Sequence, residues 1–290
     1  MPLIRETLRQ QGISRPAATI ILASCRTSTR KSYKSALGKW IHFCSRRETH
    51  PTRTDVTTIL GFLAKEFLSG SQYSNLNIAR SAVSAVLPPI DGIPVGSHPL
   101  VKRLMKGAFN MRPPKPRYTH TWDVTVVFNY WRTLGPNKDL SLKSMTMKLV
   151  TLTALISGQR CQTLSLINTD GAQVRTNGVE FIIDSPTKTS KVGKPHVTVE
   201  LTAYPNDPLL CAMSLLKIYL EKTKPFRGTE RRLFLSYVPP YKAVGAETIS
   251  RWIKSTLQLA GVDTNRFTAH STRSAACSAA SRYGVPLDVS

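Results

Sequence analysis

Length, composition and charge indicate a folded and strongly basic protein. The chain has 290 residues, of which 41% are hydrophobic, and this excludes an intrinsically disordered chain. Forty lysines and arginines against seventeen aspartates and glutamates give a formal charge of +23, which indicates a polyanionic partner. No apolar run approaches the roughly 20 residues of a membrane-spanning helix, and the first ten residues lack the apolar core of a signal peptide.

The five cysteines are scattered along the chain and form no C-x-x-C pair. An odd number without paired spacing favours neither a disulfide framework nor a zinc ribbon. His42 and Cys44 have a ligand-like spacing but no second pair, so we predict no metal site. A reducing intracellular compartment, without membrane association, fits these features best.

A helical domain is predicted over residues 15–111. Four segments have apolar residues at the three-to-four-residue spacing of an amphipathic helix: 29–46, 55–68, 72–87 and 99–110. Pro88-Pro89 is expected to end the third of these helices. We interpret the aromatic residues of this region as core rather than as platforms for stacked bases.

Basic residues of this helical region lie in two runs without acidic residues. No acidic residue occurs between Glu6 and Glu48, or between Asp91 and Asp123. Runs of this length favour nucleic-acid contact over a merely soluble surface, and no lipidation signal points to a membrane. The predicted DNA contacts on these helices are Arg30, Lys31, Lys34, Lys39, Lys102, Arg103 and Lys106.

A stiff, basic linker is predicted over residues 112–120. Three prolines fall within four positions of Arg112-Pro-Pro-Lys-Pro-Arg117, and such a segment forbids helix and favours an extended chain. Its basic residues Arg112, Lys115 and Arg117 are also predicted DNA contacts.

Residues 121–290 are predicted to combine helices with a small β-hairpin. The strands are 179–183 and 196–201, which flank a basic turn that contains Gly193. Helices are predicted from a cap at Thr121 and over 142–156, 207–221, 247–260 and 268–284, and Leu233–Leu235 is a candidate short strand. The whole chain is therefore predicted to be mainly α with a small β-hairpin or sheet, an α+β fold.

Two arginines and a histidine form the candidate site. Ser157-Gly-Gln-Arg160 follows an apolar helix, and Ala269-His-Ser-Thr-Arg273 begins another. Breaking a phosphodiester requires neutralisation of its non-bridging oxygens and proton transfer at the attacking and leaving oxygens. Arginine binds phosphate bidentately and stays charged. His270 and Arg273 are three residues apart at a helix start, so they share a face where the helix dipole also favours an anion.

The order of these residues resembles the tyrosine recombinase (phage integrase) family. Arg160 is followed by a basic hairpin with Lys188, Lys191 and Lys194, and then by His270 and Arg273. The helical domain resembles the SAM-like core-binding domain of that family, and the resemblance covers about residues 25–290. Ser157-Gly-Gln-Arg-Cys-Gln-Thr-Leu and Thr187-Lys-Thr-Ser look most like the recombinases of eukaryotic DIRS or Crypton mobile elements.

The resemblance implies a C-shaped clamp on double-stranded DNA, formed by the domain over 15–111 and a catalytic domain over 121–290. It also implies strand breakage and rejoining through a 3′-phosphotyrosine, without metal or cofactor, by proteins that assemble on DNA as tetramers. Arg160 and Arg273 would clamp the phosphate, Lys188 would protonate the leaving oxygen, and His270 would assist proton movement. Lys191 and Lys194 would contact the DNA backbone, and either remains an alternative to Lys188 as the acid. A mobile-element recombinase of a eukaryote is expected in the nucleus.

Two departures from the family pattern affect this prediction. An acidic residue often stands three positions after the first arginine, but here that residue is Thr163. The family also places a further His or Trp and then the nucleophilic tyrosine beyond the His-x-x-Arg motif, and we expect both to lie beyond Ser290. Tyr283 is a poor substitute because it lies ten residues after Arg273, about 15 Å further along one helix.

Three alternatives remain at this point. The chain can be a DNA-binding remnant or domesticated module without chemistry of its own. A basic RNA-binding protein is permitted by the charge, but the sequence has no aromatic signature for RNA. A eukaryotic type I topoisomerase has similar chemistry, but the helical first domain and the Ser-Gly-Gln-Arg motif favour a recombinase.

Overall fold

The computed structural model describes residues 2–115, 118–188, 190–191 and 193–282. The chain divides into two compact units, Met1–Arg117 and Tyr118–Ser290. Each unit has its own hydrophobic core, and each is described by itself.

The first unit consists of helices. They are α1 (Pro2–Gln10), α2 (Arg15–Ala23), α3 (Thr27–Ser45), α4 (Val56–Leu68), α5 (Tyr73–Ser84) and α6 (Pro99–Met111). Its core centres on Trp40, Phe43 and Phe62, whose ring centroids lie 5.1–6.1 Å apart. The fully buried Trp40 indole donates a hydrogen bond to the carbonyl of Pro51 at 2.9 Å. This bond fixes the loop that leads into α4.

The helices of this unit differ from the sequence prediction at two places. A helix, α1, precedes residue 15, and its buried Ile4 joins the core of the unit. Helix α5 ends at Ser84, three residues before the predicted Leu87. The α conformation is disfavoured directly before a proline, so the helix gives way to a turn before Pro88.

The second unit is built around one buried helix. Its elements are α7 (Val124–Thr133), α8 (Leu142–Ser157), α9 (Cys161–Ser165), β1 (Ala172–Arg175), β2 (Gly178–Ile183), β3 (Val197–Thr202), α10 (Ala212–Arg227), α11 (Ala246–Leu259) and α12 (Ser271–Arg282). Every residue of α8 from Met145 to Leu155 is buried. A helix that is buried on all sides is a core helix, and α8 contacts α10, α11 and α12.

A small antiparallel sheet completes the second unit, in the order β1-β2-β3. The strands predicted from the sequence pair as β2 and β3, with Phe181 opposite Val199. Strand β1 was not predicted because three of its four residues are exposed and show no alternation. The fold class is confirmed: the chain is mainly helical with a small antiparallel sheet.

Three helix starts in this unit differ from the prediction. Asp123, not Thr121, caps α7, because its carboxylate accepts the Thr125 amide at 3.0 Å. Helix α10 begins at Ala212 rather than at Asp207, whose carboxylate instead accepts the Leu209 amide and pairs with Arg132. Helix α12 begins at Ser271, three residues after the predicted cap.

The candidate strand at Leu233–Leu235 is not a strand. It forms a single isolated bridge, which joins Leu235 to Ala243. Among the described residues, no helix is long and apolar enough to cross a membrane. The same residues contain no group of three histidine, cysteine or acidic side chains that is placed to hold a metal ion.

Candidate active site

Arg160, His270 and Arg273 line one cavity of the second unit. Its volume is about 230 Å³, and Gln159, Cys161 and Ser250 also contribute to its wall. The cavity therefore brings together residues from the end of α8, the start of α12 and the middle of α11. This is the set of two arginines and a histidine that the sequence analysis selected.

The Ser157-Gly-Gln-Arg160 motif ends α8 and begins α9. Gly158 adopts a left-handed conformation with φ of 58°, and its amide donates to the carbonyl of Ala154 at 3.1 Å. Glycine suits this position because other residues are strained there. The Ser157 hydroxyl accepts the Gln159 amide at 3.3 Å. Arg160 is the extended residue directly before α9, so its half-buried side chain leaves the backbone at a sharp turn.

Arg273 is fixed in the first turn of α12. Its Nε donates to the carbonyl oxygen of Gly158 at 2.6 Å, across 115 residues of sequence. The same glycine therefore ends the helix before Arg160 and accepts a hydrogen bond from Arg273. Arg273 is thus bonded to the backbone two residues before Arg160, and not to an acidic side chain.

The two guanidinium groups make the cavity electropositive. Burial and, secondarily, the charge of Arg273 lower the pKa of Arg160 from its ordinary value. Within the described residues, no acidic side chain forms an ion pair with either arginine. Thr163, which stands where the family has an acid, is buried and carries no charge. Two arginines without an acidic partner in the described chain favour an anion, and Arg273 lies in the first turn of the twelve-residue helix α12, where the helix dipole adds to this preference.

His270 is exposed and directly precedes α12. It lines the cavity beside Arg273, so the imidazole and both guanidinium groups face one space. A phosphate in this space would meet donors that charge-assisted hydrogen bonds favour. Cys161 also lines the cavity, and burial raises the pKa of its thiol, which keeps the sulfur in its neutral form at neutral pH.

The structure does not bring Lys188 to the cavity. Lys188, Lys191 and Lys194 are all exposed in the segment between β2 and β3, and none belongs to the wall of the cavity. Thr187 is buried, and its amide donates to the Ser190 hydroxyl at 2.8 Å. The role of Lys188 as the acid therefore stays a prediction.

The predicted DNA contacts of the first unit fall into two groups. Three of them already have protein partners. Arg30 donates to the carbonyls of Leu22 and Cys25, Lys39 pairs with Glu66 at 2.7 Å, and Arg112 donates to two carbonyls near the end of α4. Six side chains are exposed and pair with no acidic residue in the described chain: Lys31, Lys34, Lys102, Arg103, Lys106 and Lys115. Arg117, the remaining predicted contact, lies outside the described residues, as does Tyr283.

Several residues of the cavity wall were not predicted from the sequence, among them Gln159, Cys161 and Ser250. Gln159 and Cys161 flank Arg160, and their adjacency was the only signal for them. Ser250 lies on α11, and nothing in its local sequence distinguishes it from other helix serines. Only the packing of α11 against α9 brings it to the cavity.

No family model and no curated protein sequence matches the chain. Among solved structures, the XerH site-specific recombinase bound to difH in a pre-cleavage complex matches with a TM-score of 0.57 and 14% identity, over 87% of this chain and 68% of that chain. Its post-cleavage complex with palindromic difH gives the same score and identity, over 84% and 66%. A lambda integrase (75–356) dimer bound to a core site matches with a TM-score of 0.48 and 15% identity, over 97% and 89%. The likeness to XerH shows that this chain has the fold of a site-specific recombinase.

Proposed function

We propose that this protein binds duplex DNA and belongs to the tyrosine recombinase family, which breaks and rejoins strands through a 3′-phosphotyrosine. The observation that carries the proposal is the cavity in which Arg160, Arg273 and His270 meet without an acidic partner among the described residues. This arrangement suits a scissile phosphate, because two arginine forks neutralise its non-bridging oxygens. The recombinase fold and the formal charge of +23 support the same function.

The residue roles follow from the chemistry of each group. Arg160 and Arg273 would stabilise the charge that develops on the phosphate as the attacking oxygen bonds to phosphorus. His270 would hold or transfer a proton at a phosphate oxygen. Lys188 would protonate the leaving 5′ oxygen, which requires the segment between β2 and β3 to approach the cavity when DNA binds. No described tyrosine stands in a motif for the nucleophile, so the experiment below must identify the tyrosine that attacks.

The finer parts of the proposal rest on motifs. Ser157-Gly-Gln-Arg160 and Thr187-Lys-Thr-Ser190 favour a recombinase of a eukaryotic DIRS- or Crypton-type mobile element, and therefore a nuclear protein. XerH and lambda integrase have been solved as complexes with DNA, including a lambda integrase tetramer on a Holliday junction. We propose that this protein also self-associates on its DNA.

The test uses duplexes with a bridging phosphorothioate at each candidate position, in a library selected for binding to the protein. Attack on such a linkage releases a thiol that religates poorly, so a covalent protein–DNA adduct accumulates. Proteolysis and mass spectrometry of the adduct should find the DNA on a tyrosine. Arg273→Gln should abolish the adduct, whereas Arg175→Gln, which removes one exposed charge of β1, should not.

Each outcome of this experiment has a defined meaning. A tyrosine adduct that depends on Arg273 supports the recombinase. Salt-dependent binding to duplex DNA without any adduct supports a DNA-binding module without chemistry. Preference for structured RNA over duplex DNA would contradict the proposal entirely.

A further inference from the structure

Trp122 lies beneath the segment that carries His270 and Arg273. Its indole Nε1 donates to the Ser271 hydroxyl at 2.9 Å, and this buried bond joins residues 149 apart in sequence. Trp122 is 5% exposed and Ser271 is 1% exposed. The Ser271 hydroxyl in turn donates to the carbonyl of Thr268 at 2.7 Å. Because a hydroxyl has one proton, accepting from the indole and donating to the carbonyl together fix its orientation.

Two further contacts join the same parts of the chain. The ring of Tyr118 packs against Phe267 with their centroids 5.3 Å apart. The guanidinium of Arg266 donates to the Thr119 hydroxyl at 2.9 Å. Residues 118–122, the first described residues of the second unit, therefore contact the approach to α12 at several points. We call residues 118–122 the support segment.

The support segment contacts the approach to α12 beside the candidate site. Ser271 stands between His270 and Thr272, and Arg273 is two residues further on. Arg273 is fixed separately by its bond to the carbonyl of Gly158 at 2.6 Å. The first turn of α12 therefore has two anchors, the Trp122 indole at Ser271 and the Gly158 carbonyl at Arg273. Movement of Ser271 would displace His270, which directly precedes α12, and Arg273 in its first turn.

We infer that Trp122 is a positioning residue for this cavity. It acts through Ser271 and fixes His270 and Arg273 relative to Gly158 and Arg160. This positioning does not depend on what the cavity binds. Only its effect on the affinity for phosphate rests on the proposed function. Trp122 does not belong to the wall of the cavity, so it does not act as a catalytic residue.

The chain offers a matched control in Trp131. It is also a buried tryptophan of the second unit, at 1% exposure, but its Nε1 has no hydrogen-bond partner among the described residues. Trp122→Phe and Trp131→Phe each remove one indole N–H and a similar volume from the same core. Only Trp122→Phe removes the hydrogen bond to Ser271.

The first measurement is hydrogen exchange of the Arg273 Nε–H, followed by NMR in the full chain. If Trp122 positions α12, exchange should become about fivefold faster in Trp122→Phe, the factor that corresponds to one neutral hydrogen bond. Ser271→Ala also removes the hydrogen bond to the Thr268 carbonyl, so it should accelerate exchange at least as much. The double variant Trp122→Phe/Ser271→Ala should be no faster than Ser271→Ala alone. Trp131→Phe should leave the rate unchanged. Equal rates in Trp122→Phe and wild type, equal acceleration in Trp131→Phe, or additive effects of the two substitutions would overturn the inference.

The second measurement titrates inorganic phosphate against the ring signals of His270. The affinity for phosphate should fall about fivefold in Trp122→Phe, again by the loss of one hydrogen bond, and should stay unchanged in Trp131→Phe. If wild-type His270 does not respond to phosphate while the Arg273 exchange rates behave as expected, the positioning stands and the proposed function of the cavity fails. If phosphate binds equally to wild type and Trp122→Phe, the proposed function stands and the positioning inference fails.

Discussion

The Nε of Arg273 donates to the carbonyl oxygen of Gly158 at 2.6 Å, and this bond connects the two motifs of the candidate site. Gly158 ends α8, and the last carbonyls of a helix have no partner within the helix. They also carry the negative end of the helix dipole, which favours a cation. The carbonyl at the end of α8 thus accepts a hydrogen bond from Arg273, as an acidic side chain does from arginines in other proteins. This explains how Arg273 is fixed while its charge stays available to an anion.

Gly158→Ala should weaken DNA binding and destabilise the second unit. No atom lies within 4 Å of a Cβ at this position, so the substitution causes no clash. The left-handed backbone with φ of 58° is nevertheless strained for alanine, at a cost of about 1 kcal/mol. Relief of this strain would rotate the Gly158 carbonyl away from Arg273. Urea denaturation and a DNA-binding titration measure the two effects.

Gly261→Ala is the matched control for this substitution. Gly261 also follows a helix, has φ of 90°, and has open space around a Cβ. Gly261→Ala should therefore reduce the unfolding free energy by a similar amount without changing the affinity for DNA. Gly158→Asn should recover part of the loss, because asparagine tolerates the left-handed conformation. Equal loss of affinity in Gly158→Ala and Gly261→Ala would show that the bond to Arg273 has no role in binding.

Arg160→Gln should reduce the salt dependence of DNA binding. If Arg160 contacts one phosphate, its loss removes about 0.9 from the slope of log affinity against log salt. The unfolding free energy should change little, since no hydrogen bond of the Arg160 side chain supports the fold in the described residues. The measurement is a titration of affinity for one duplex at several salt concentrations.

Arg175→Gln separates a specific phosphate contact from a change in net charge. It also removes one positive charge, but Arg175 pairs with Glu180 on the small sheet and does not line the cavity. The slope of log affinity against log salt should be the same for Arg175→Gln as for the wild type. A slope that falls equally in Arg160→Gln and Arg175→Gln would show that net charge, and not the cavity, determines the salt dependence.

The sequence predicted three residues that the structure brings to one cavity, Arg160, His270 and Arg273, but not their partners. Arg160 and Arg273 were selected because arginine forks suit a phosphate, and the break at Gly158 follows from the conformational freedom of glycine. The carbonyl that fixes Arg273 belongs to the backbone and leaves no trace in residue identity. Ser271 and Trp122 likewise look like ordinary helix and core residues until the fold brings them together.

Charge patterns along the chain could not distinguish surface charges from paired ones. Arg30 and Lys39 lie in the same acid-free run as Lys34. Arg30 nevertheless donates to the carbonyls of Leu22 and Cys25, and Lys39 pairs with Glu66. Glu66 lies 27 residues away from Lys39, so a local count of acids misses it. The start of α10 was missed for a similar reason, because Asp207 pairs with the distant Arg132.

Helix α6 should contribute more to DNA binding than the paired basic residues do. Lys102, Arg103 and Lys106 are exposed on one helix and pair with no acidic residue in the described chain. The triple glutamine variant should lower the salt slope by as much as about 3, at roughly 0.9 for each phosphate contact. The same duplex titration measures this effect, and thermal unfolding should be nearly unchanged.

Arg112→Gln provides the contrasting result for the first unit. Arg112 donates to the carbonyls of Phe67 and Ser71 at 3.2 Å and covers the Phe67 ring at 4.3 Å. Its loss should lower the unfolding free energy by about 1–2 kcal/mol, with a small effect on the salt slope. The assignment of α6 as a DNA contact would be contradicted if Arg112→Gln changed the slope more than the triple variant does.

Lys148→Met should stabilise the protein at neutral pH. Lys148 is fully buried in α8, its ammonium has no hydrogen-bond partner, and its pKa is lowered from 10.5 to about 8 by burial, against the opposing charge of Asp207. The Trp131 ring, 5.6 Å from the ammonium, offsets part of the cost. A pKa change of this size corresponds to a gain on the order of 2 kcal/mol at pH 7 when the buried charge is removed. Urea denaturation measures the gain.

Lys222→Met is the control for this substitution. Lys222 donates to the carbonyl of Leu140 at 2.7 Å, so its loss should not stabilise the protein.

The pH dependence of the Lys148→Met effect has a definite sign. Below pH 8, Lys148 is protonated in both the folded and the unfolded chain, so the wild type carries the full cost of the buried charge. Between about pH 8 and 10.5 the folded protein has lost this proton while the unfolded chain still binds it. Since the unfolded state then binds more protons, the unfolding free energy of the wild type rises with pH relative to the variant. The advantage of Lys148→Met should therefore shrink across this window, and an advantage that stayed constant from pH 7 to pH 10 would show that packing, and not the buried charge, is its cause.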